Sequence, residues 1–303
     1  MVLGGTSGER AVSLDSGKAC VKALKKKRYK VLTFDPKFKN LNLINKQKID
    51  VIFNALHGKD GEDGIAQSYF EYLKIPYTHS GVLSSYNSMN KLISKEIFTK
   101  NKILTPKFLP LNRLEYKDTD LKRLLKKKKI YFPLVIKPIS EGSSLGVKII
   151  KNFADLKKSS KNLHKTYDQL LIEEYVGGQE IQVAVINKSP LGAIELIPKR
   201  KFYDYKAKYL SSAKTIHVIP PKISKILGHK IKKIALKAHK VLKCKGVTRS
   251  DFRVTKNGLI YILETNTQPG MTKLSLVPEI AMKHGMNFKK LVSWMIKDAS
   301  IKR

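Results

Sequence analysis

Apolar runs and amphipathic stretches alternate through the first eighty residues. The runs VLGG, KVLTFD and DVIFNALHG predict buried strands, whereas residues 9–27 and 64–75 repeat apolar positions at helical spacing. This alternation predicts βαβ units around a parallel sheet, in which ligands lie beyond the carboxyl ends of the strands. The first strand is expected to be short, because only three residues precede Gly4 and Gly5.

Later segments show separate helices and longer strands. Helical periodicity is present in residues 87–101, 222–244 and 288–299. The stretch FPLVIKPISEGSSLGVKII predicts a strand, a glycine-rich loop and a second strand. Two more strands are expected on either side of Gly177 and Gly178, a pair that indicates a hinge and a domain boundary.

The stretch RSDFRVTKNGLIYILETNTQPG predicts a hairpin. Its Asn-Gly pair at 257–258 is a strong signal for a two-residue turn, which would pair Lys256 with Leu259. Counting outward from that turn, Asp251 lies directly across from Glu264. Carboxylates in that relationship destabilise a hairpin by repulsion, so something must compensate their charge.

Two explanations for these facing acids remain open. Asn266 is expected across from Arg249, so Asp251, Glu264 and Asn266 together offer only hard oxygen donors, the set that suits Mg²⁺. Alternatively, the hairpin is solvated and its acids are neutralised by Arg249 and Arg253.

Composition narrows the class of protein. The 303 residues are 42% apolar, as in folded globular chains, and no run of eighteen apolar residues occurs. The start of the chain lacks the pattern of a signal peptide. Two cysteines give no disulfide framework, so a cytoplasmic protein is expected.

The net charge of +36 could attract nucleic acid or an anionic membrane. Because the lysines are scattered and no nucleic-acid module is present, we expect neither partner, only mild attraction for polyanionic substrates.

Two segments could bind a nucleotide. Lys137 ends an apolar strand just before a loop of small residues that includes Ser144, which leaves room for backbone N–H groups to approach phosphate. An ordinary hairpin turn is the alternative. Glu173 ends a strand that could bind a base through its backbone, and Glu180 could accept bonds from ribose hydroxyls. Surface strand residues are the alternative for both.

Three further features could bind a substrate. Glu9 either closes a capping box at the first helix or holds a substrate ammonium group. His57 ends a neighbouring strand and faces the same crevice, although a lone histidine is often structural. Residues 202–213 have four aromatic residues and no clean period, so they form either a closing loop, with Lys208 and Tyr209 as polar tips, or an edge strand.

Eight stretches in the same order resemble the D-alanine–D-alanine ligase family of ATP-grasp enzymes. They are LGGTSGERAVSL, ALHGKDGEDG, YTHSGV, SMNKLISK, VIKPISEGSS, FYDYKAKY, TRSDFR and ETNTQPGMTKLSLVP. The resemblance implies an α/β, three-domain ATP-grasp fold with an N-terminal, Rossmann-like βαβ domain. The implied domains are an N-terminal substrate domain (1–84), a central lid (85–177) and a metal- and substrate-binding domain (178–303).

The resemblance also implies an activity and its residues. Two D-alanines would be joined at the expense of ATP, with two Mg²⁺ ions or Mn²⁺ in their place, by a homodimer that serves peptidoglycan synthesis. The implied ATP contacts are Lys91, Lys137, Ser144, Glu173, Glu174, Val176, Glu180 and Lys208. The implied metal ligands are Asp251, Glu264 and Asn266, with Glu264 bridging the two ions. The implied catalytic and D-alanine contacts are Glu9, Val12, His57, Ser143, Tyr209, Arg249, Gly270 and Ser275.

Three residues depart from the commonest pattern of that family. Asn90 replaces an acid, Glu174 stands where lysine is usual, and Lys206 stands where glutamate is common. These changes are expected to alter nucleotide affinity rather than abolish activity. The alternatives are a ligase that takes D-lactate or D-serine as its second substrate, an ATP-grasp ligase for another acid and amine, or a basic nucleic-acid-binding protein on a decayed ligase scaffold.

Overall fold

The structure, a computed structural model, describes residues 1–44, 48–113, 118–198, 215–272 and 275–303. Its helices are α1 (Arg10–Lys25), α2 (Ile65–Tyr72), α3 (Val82–Met89), α4 (Lys91–Lys100), α5 (Asp118–Lys127), α6 (Phe153–Leu163), α7 (Lys225–Val241), α8 (Leu276–Lys283) and α9 (Phe288–Asp298). Its strands are β1 (Phe108–Asn112), β2 (Leu134–Pro138), β3 (Lys148–Ile150), β4 (Gln169–Glu174), β5 (Gln179–Ile186), β6 (Ser189–Ile197), β7 (Ile216–Val218), β8 (Val247–Val254) and β9 (Ile260–Asn266). The α/β class predicted from the sequence is confirmed.

The N-terminal segment has the predicted parallel arrangement in a reduced form. Val2 forms parallel bridges with both Phe34 and Asn54, and Ile52 forms one with Tyr77. These are isolated bridges rather than extended strands. The first run ends early because Gly4 and Gly5 follow it with φ of 86° and 70°, values that leave the strand conformation.

Two antiparallel sheets form the rest of the molecule. The four-stranded sheet has the order β1-β4-β2-β3, and the five-stranded sheet has the order β7-β6-β5-β8-β9. Strands β4 and β5 belong to different sheets, and Gly177 and Gly178 lie between them. The hinge and domain boundary expected at this pair stay a prediction. The apolar face of the first sheet packs with α5 and α6 around Leu134, Leu156 and Ile172.

The hairpin of β8 and β9 pairs the predicted residues by a different route. Asp251 is opposite Glu264 and Arg249 is opposite Asn266, as expected. The turn prediction is wrong, however, because Thr255 rather than Lys256 is bonded to Leu259.

Two irregularities therefore compensate each other in this hairpin. The loop has three residues and ends at Gly258 with φ of 78°, the geometry of a bulged turn. A register shift between Asp251 and Phe252 then adds one residue on β9 and restores the predicted pairing of Glu264.

A single long helix was expected across residues 87–101, and the structure divides it. Helix α3 ends at Met89 and α4 begins at Lys91, with Asn90 between them. The Asn90 side chain accepts hydrogen bonds from the backbone N–H groups of Leu92 and Ile93. Asparagine and aspartate are comparable caps, so the family's usual acid and this asparagine can serve the same structural purpose.

Candidate active site

Two clefts meet where the two sheets and the N-terminal segment converge. The first encloses about 820 Å³, including space open to solvent, between the four-stranded sheet and the β8–β9 hairpin. It is lined by Lys91, Val135, Lys137, Pro138, Glu141, Ser144, Leu145, Val147, Glu173, Glu174, Tyr175, Val176, Glu180, Asp251, Arg253, Leu263 and Glu264. All the described residues that the resemblance assigns to ATP therefore lie in one cleft.

A buried charge cluster forms one wall of this cleft. Glu173 at the end of β4 is 3% exposed, and its Oε1 lies 2.8 Å from Lys137 Nζ on the neighbouring strand β2. The same oxygen is 3.1 Å from Nζ of the fully buried Lys95 on α4. Although burial alone would raise it, these two ammonium groups hold the pKa of Glu173 below its usual value. Burial lowers the pKa of Lys95 to about 8, against the opposing effect of Glu173.

The opposite end of the cleft has a second acid. Glu180 on β5 is 2.7 Å from the Arg253 guanidinium on β8, so the carboxylate is fixed by the strand next to its own. Glu174, where the family usually has lysine, accepts a 3.4 Å bond from the Lys107 backbone N–H. The segment that includes Val176 leads from β4 into the glycine pair and lines the cleft beside them.

The second cleft encloses about 650 Å³, again with space open to solvent, beside the first. It is lined by Glu9, His57, Glu62, Ser88, Met89, Lys91, Glu141, Gly142, Ser143, Arg249, Glu264, Thr265, Asn266, Thr267 and Gly270. Lys91, Glu141 and Glu264 belong to both linings and form a shared wall. Ligands in the two clefts would meet at this wall.

The loop between β2 and β3 contributes to both clefts. Ser143 and Ser144 have φ of 51° and 60°, a left-handed conformation that non-glycine residues seldom adopt. Consecutive left-handed residues direct Ser143 into the second cleft and Ser144 into the first. Strained backbone of this kind occurs most often at ligand-binding sites.

Glu9 is buried at the start of α1 and faces this loop. Its carboxylate makes no capping bond to the helix, so the capping-box alternative is wrong. The Ser143 hydroxyl instead donates a 2.5 Å hydrogen bond to Glu9 Oε2. A Cβ at Gly142 would lie 2.3 Å from Glu9 Oε1, so a glycine is needed for the loop to approach the acid.

His57 lines the second cleft on the side of the N-terminal segment. Its Nδ1 is 2.6 Å from Glu62 Oε1, and both side chains are buried. Its Nε2 is 3.3 Å from the Ser16 hydroxyl, whose oxygen accepts a bond from the Met271 backbone N–H. His57 is thus held by two elements rather than standing alone.

The facing acids of the hairpin lie beside the shared wall. Arg249 contacts Asp251 through two bonds, Nε to Oδ1 at 2.8 Å and Nη2 to Oδ2 at 3.2 Å. Lys91 Nζ is 3.8 Å from Glu264 Oε2 and donates a hydrogen bond to the Glu141 carbonyl. Of the two arginines in the alternative explanation, Arg249 contacts one of the facing acids, Asp251. Arg253 contacts Glu180 instead.

The donor set of this hairpin fits a hard divalent cation. Asp251 and Glu264 are adjacent across the strands, and the Asn266 Oδ1 is oriented by a 2.7 Å bond from the Gln268 backbone N–H. Carboxylate and amide oxygens are the donors that Mg²⁺ prefers. Within the described ranges, no group of three or more His, Cys, Asp or Glu side chains is placed to hold a metal.

Of the remaining assigned residues, Gly270 lines the second cleft, Val12 and Ser275 are not among the residues that line either cleft, and the others lie outside the described residues. Gly270 lines the cleft, and the Ser275 hydroxyl next to it accepts a 2.9 Å bond from the Thr272 backbone N–H. Val12 is buried in α1. Lys206, Lys208 and Tyr209 belong to residues 199–214, which are outside the described part of the chain.

Sequence reasoning missed several residues that the fold brings to the site. Lys95 and Glu62 were not singled out, although both lie in stretches that match the family, because nothing in the sequence showed that they contact Glu173 and His57. Gln268 was also missed, although it contacts residues more than 200 positions earlier in the chain. Asn54 Nδ2 donates a 2.9 Å bond to Gln268 Oε1, and the Gln268 side-chain amide donates to the Leu56 carbonyl. These bonds fix the segment before His57 against the segment before Gly270.

Among the described residues, the helices are too short or too polar to span a membrane.

Family models match both parts of the chain: one described as D-ala D-ala ligase N-terminus covers residues 35–80, and one described as D-ala D-ala ligase C-terminus covers residues 97–297.

Individual proteins are similar over the whole length. A D-alanine--D-alanine ligase of Pelagibacter ubique is 56% identical, with 99% of this chain and 97% of that protein covered. One of Trichlorobacter lovleyi is 40% identical, with 100% and 95% covered. The crystal structure of D-alanine--D-alanine ligase from Bacillus anthracis superimposes with a TM-score of 0.86 at 36% identity, covering 98% and 95% of the two chains. The structure of that enzyme complexed with ATP gives 0.85 at 33% identity over the same shares. The chain belongs to the D-alanine–D-alanine ligase family, with the ATP-grasp fold that its sequence resemblance implied.

Proposed function

We propose that this protein joins two D-alanine molecules into D-alanyl-D-alanine, converting ATP to ADP and phosphate, as a step of peptidoglycan precursor synthesis. The observation that carries the proposal is the shared wall, where a nucleotide cleft and a small polar cleft meet at Lys91, Glu141 and Glu264. A ligase of this kind needs its phosphoryl donor and its carboxylate acceptor in contact.

The proposed first step is phosphoryl transfer. A carboxylate oxygen of the first D-alanine attacks the γ-phosphorus, and the bond from that phosphorus to the β-phosphate bridging oxygen breaks to release ADP. Lys91 and Lys137 would hold the phosphates as point charges, with Ser144 beside them. Glu173, Glu174, Val176 and Glu180 would hold the adenosine.

Mg²⁺, with Mn²⁺ as a substitute, is proposed at Asp251, Glu264 and Asn266. When bound there, two such ions would neutralise the phosphate charge that develops during transfer. The oxygen donors match this ion. Because Arg249 contacts both carboxylate oxygens of Asp251, it would have to release at least one of them when an ion binds.

The proposed second step is attack by an amine. The amino group of the second D-alanine attacks the acyl carbon of D-alanyl phosphate, the carbon–oxygen bond to phosphate breaks, and the amine loses a proton. Arg249 and the Gly270 backbone N–H would stabilise the oxyanion. Losing one such donor typically costs about 10²–10³ in rate.

Substrate binding is proposed for the buried side of the second cleft. Glu9, supported by Ser143, would hold the ammonium group of the first D-alanine, beside His57 and Val12. Tyr209 would aid Glu9 at the first D-alanine, and Ser275 with Lys208 would bind the carboxylate of the second D-alanine. We further propose that the protein works in the cytoplasm as a homodimer, built from the domains 1–84, 85–177 and 178–303.

One comparison of reactions tests this proposal. Release of ADP is measured with D-alanine, with L-alanine and with no amino acid, and the product is identified by mass. D-alanyl-D-alanine should form only in the first reaction. Preferential use of D-lactate or D-serine as second substrate would identify the alternative ligases, and duplex binding without turnover would identify the nucleic-acid-binding alternative.

A further inference from the structure

Lys95 is a fully buried cation with no role in the reaction proposed above. It lies on α4 one turn after Lys91, and none of its surface is exposed. Its Nζ lies 3.1 Å from Glu173 Oε1 and donates a 2.7 Å hydrogen bond to Thr105 Oγ1. A buried ammonium group is costly unless it is paired and hydrogen-bonded, so its placement beside the nucleotide cleft requires an explanation.

Lys95 and Lys137 share one carboxylate oxygen. Both ammonium groups lie within 3.1 Å of Glu173 Oε1, so the cluster contains two cations and one anion. Without Lys95, Glu173 would neutralise Lys137 alone. The net charge of this three-residue cluster would then fall from one positive charge to none.

Lys95 also connects this cluster to the metal-bearing hairpin. The Thr105 hydroxyl that accepts its bond donates a 2.8 Å bond to the Ile262 carbonyl of β9, and the Ile262 N–H donates to the Leu104 carbonyl. Ile262 precedes Glu264 by two residues on that strand. Lys95 and Thr105 therefore link Glu173, the partner of Lys137, to β9, the strand that carries the proposed metal ligand Glu264.

We propose that Lys95 is a positioning residue of the nucleotide site, which shares the charge of Glu173 so that Lys137 is oriented by that carboxylate and still available as a cation for phosphate. It acts through Glu173 and Thr105 and does not itself touch the nucleotide. The inference rests on the proposed function, since it assigns the phosphates to this cleft.

The first test removes the charge and keeps the volume. Lys95→Met is compared with Lys100→Met, which changes an exposed lysine on the same helix. We expect the Kd for ADP, measured by calorimetry in EDTA, to rise about tenfold in the first variant and to stay unchanged in the second. The KM for ATP should rise similarly while the KM for D-alanine stays unchanged. An unchanged Kd for ADP, or an equal loss for both substrates, would overturn the proposal.

A double variant separates charge sharing from simple packing. In Lys95→Met combined with Glu173→Gln, Lys137 is the one remaining charge of the cluster. We expect this variant to bind ADP as well as Glu173→Gln alone does, because Lys95 no longer has a carboxylate to compensate. A packing role predicts a further, additive loss instead.

The same comparison still decides the question if Lys95→Met alone fails to fold, since the carboxylate of the cluster no longer opposes Lys137 in either of its members. Absence of dipeptide formation by the unaltered protein would refute the proposed function without affecting these ADP affinities.

Discussion

The Ser143 hydroxyl donates a 2.5 Å hydrogen bond to the Glu9 carboxylate and so joins the β2–β3 loop to the start of α1. The two residues are separated by 134 positions in the chain. The contact brings a loop that also borders the nucleotide cleft onto the acid proposed to hold the first D-alanine. One short segment therefore lines both clefts.

Replacing Gly142 with alanine tests whether the close contact between the β2–β3 loop and the Glu9 carboxylate matters for activity. The new Cβ would lie 2.3 Å from Glu9 Oε1, so the carboxylate or the loop must move. We expect kcat/KM for D-alanine to fall about 10²-fold, the usual scale for a misplaced site group, with little change in ADP affinity. Gly228→Ala is the control, because its Cβ would meet no atom closer than 4.0 Å. Normal D-alanine kinetics in Gly142→Ala would contradict the proposed role of Glu9.

Glu264→Ala tests the shared wall and the proposed metal site. We expect a loss of at least ~10³ in turnover with the fold retained, because phosphoryl transfer depends on the metal charge. Turnover is measured as ADP release and folding by circular dichroism. Glu96→Ala, at an exposed position on α4, serves as the control. Near-normal turnover of Glu264→Ala would refute the metal assignment.

His239 should make the fold sensitive to mild acid. Burial lowers its pKa to about 4, so between pH 6.5 and 4 the unfolded chain takes up a proton that the folded protein does not. The free energy of unfolding is therefore unaffected by His239 above pH 6.5, and between pH 6.5 and 4 it falls by about 1.4 kcal/mol per pH unit.

Urea denaturation across this range measures the effect. His239→Asn should reduce the slope of the free energy of unfolding against pH. The slope should not vanish, because burial also lowers the pKa of His79, to about 3. An unchanged slope in the variant would show that another group is responsible.

Gly258→Ala tests the three-residue hairpin loop. Gly258 has φ of 78°, and an alanine Cβ there meets only Leu227 Cδ1 at 3.9 Å, so the cost is one of backbone conformation. We expect the free energy of unfolding to fall by roughly 1–2 kcal/mol, with kcat/KM unchanged because the acids lie at the other end of the strands. Urea denaturation measures the first and ADP release the second. A stabilised variant would mean that the loop has another conformation.

The hairpin illustrates how far the sequence could predict this site. Counting from a two-residue turn correctly placed Asp251 across from Glu264, yet the loop is one residue longer than assumed. A bulge beside Asp251 offsets the error. Asn257 and Gly258 fit a two-residue turn as well as a three-residue loop that ends in a left-handed glycine, so the sequence alone does not decide between the two.

Lys95 shows where sequence reasoning stops. Lys95 lies on an amphipathic helix in a chain with a net charge of +36, so its sequence context does not distinguish it from the many exposed lysines. Its partner Glu173 lies 78 positions later, and the cluster exists only because β2 and β4 are neighbours in the sheet. Lys95 ends the stretch SMNKLISK, one of the eight that match a known family, but that match gave no indication of a charge cluster, because the pairing with Glu173 is visible only in the folded sheet.

The anchoring of Lys91 has a consequence for inhibition. Its ammonium group binds the main-chain carbonyl of Glu141, an acceptor that no side-chain substitution can delete. A compound resting against that lysine and Glu264 would obstruct both reactants at once. If Lys91 and Glu264 have the roles proposed above, resistance by altering either side chain would also impair turnover.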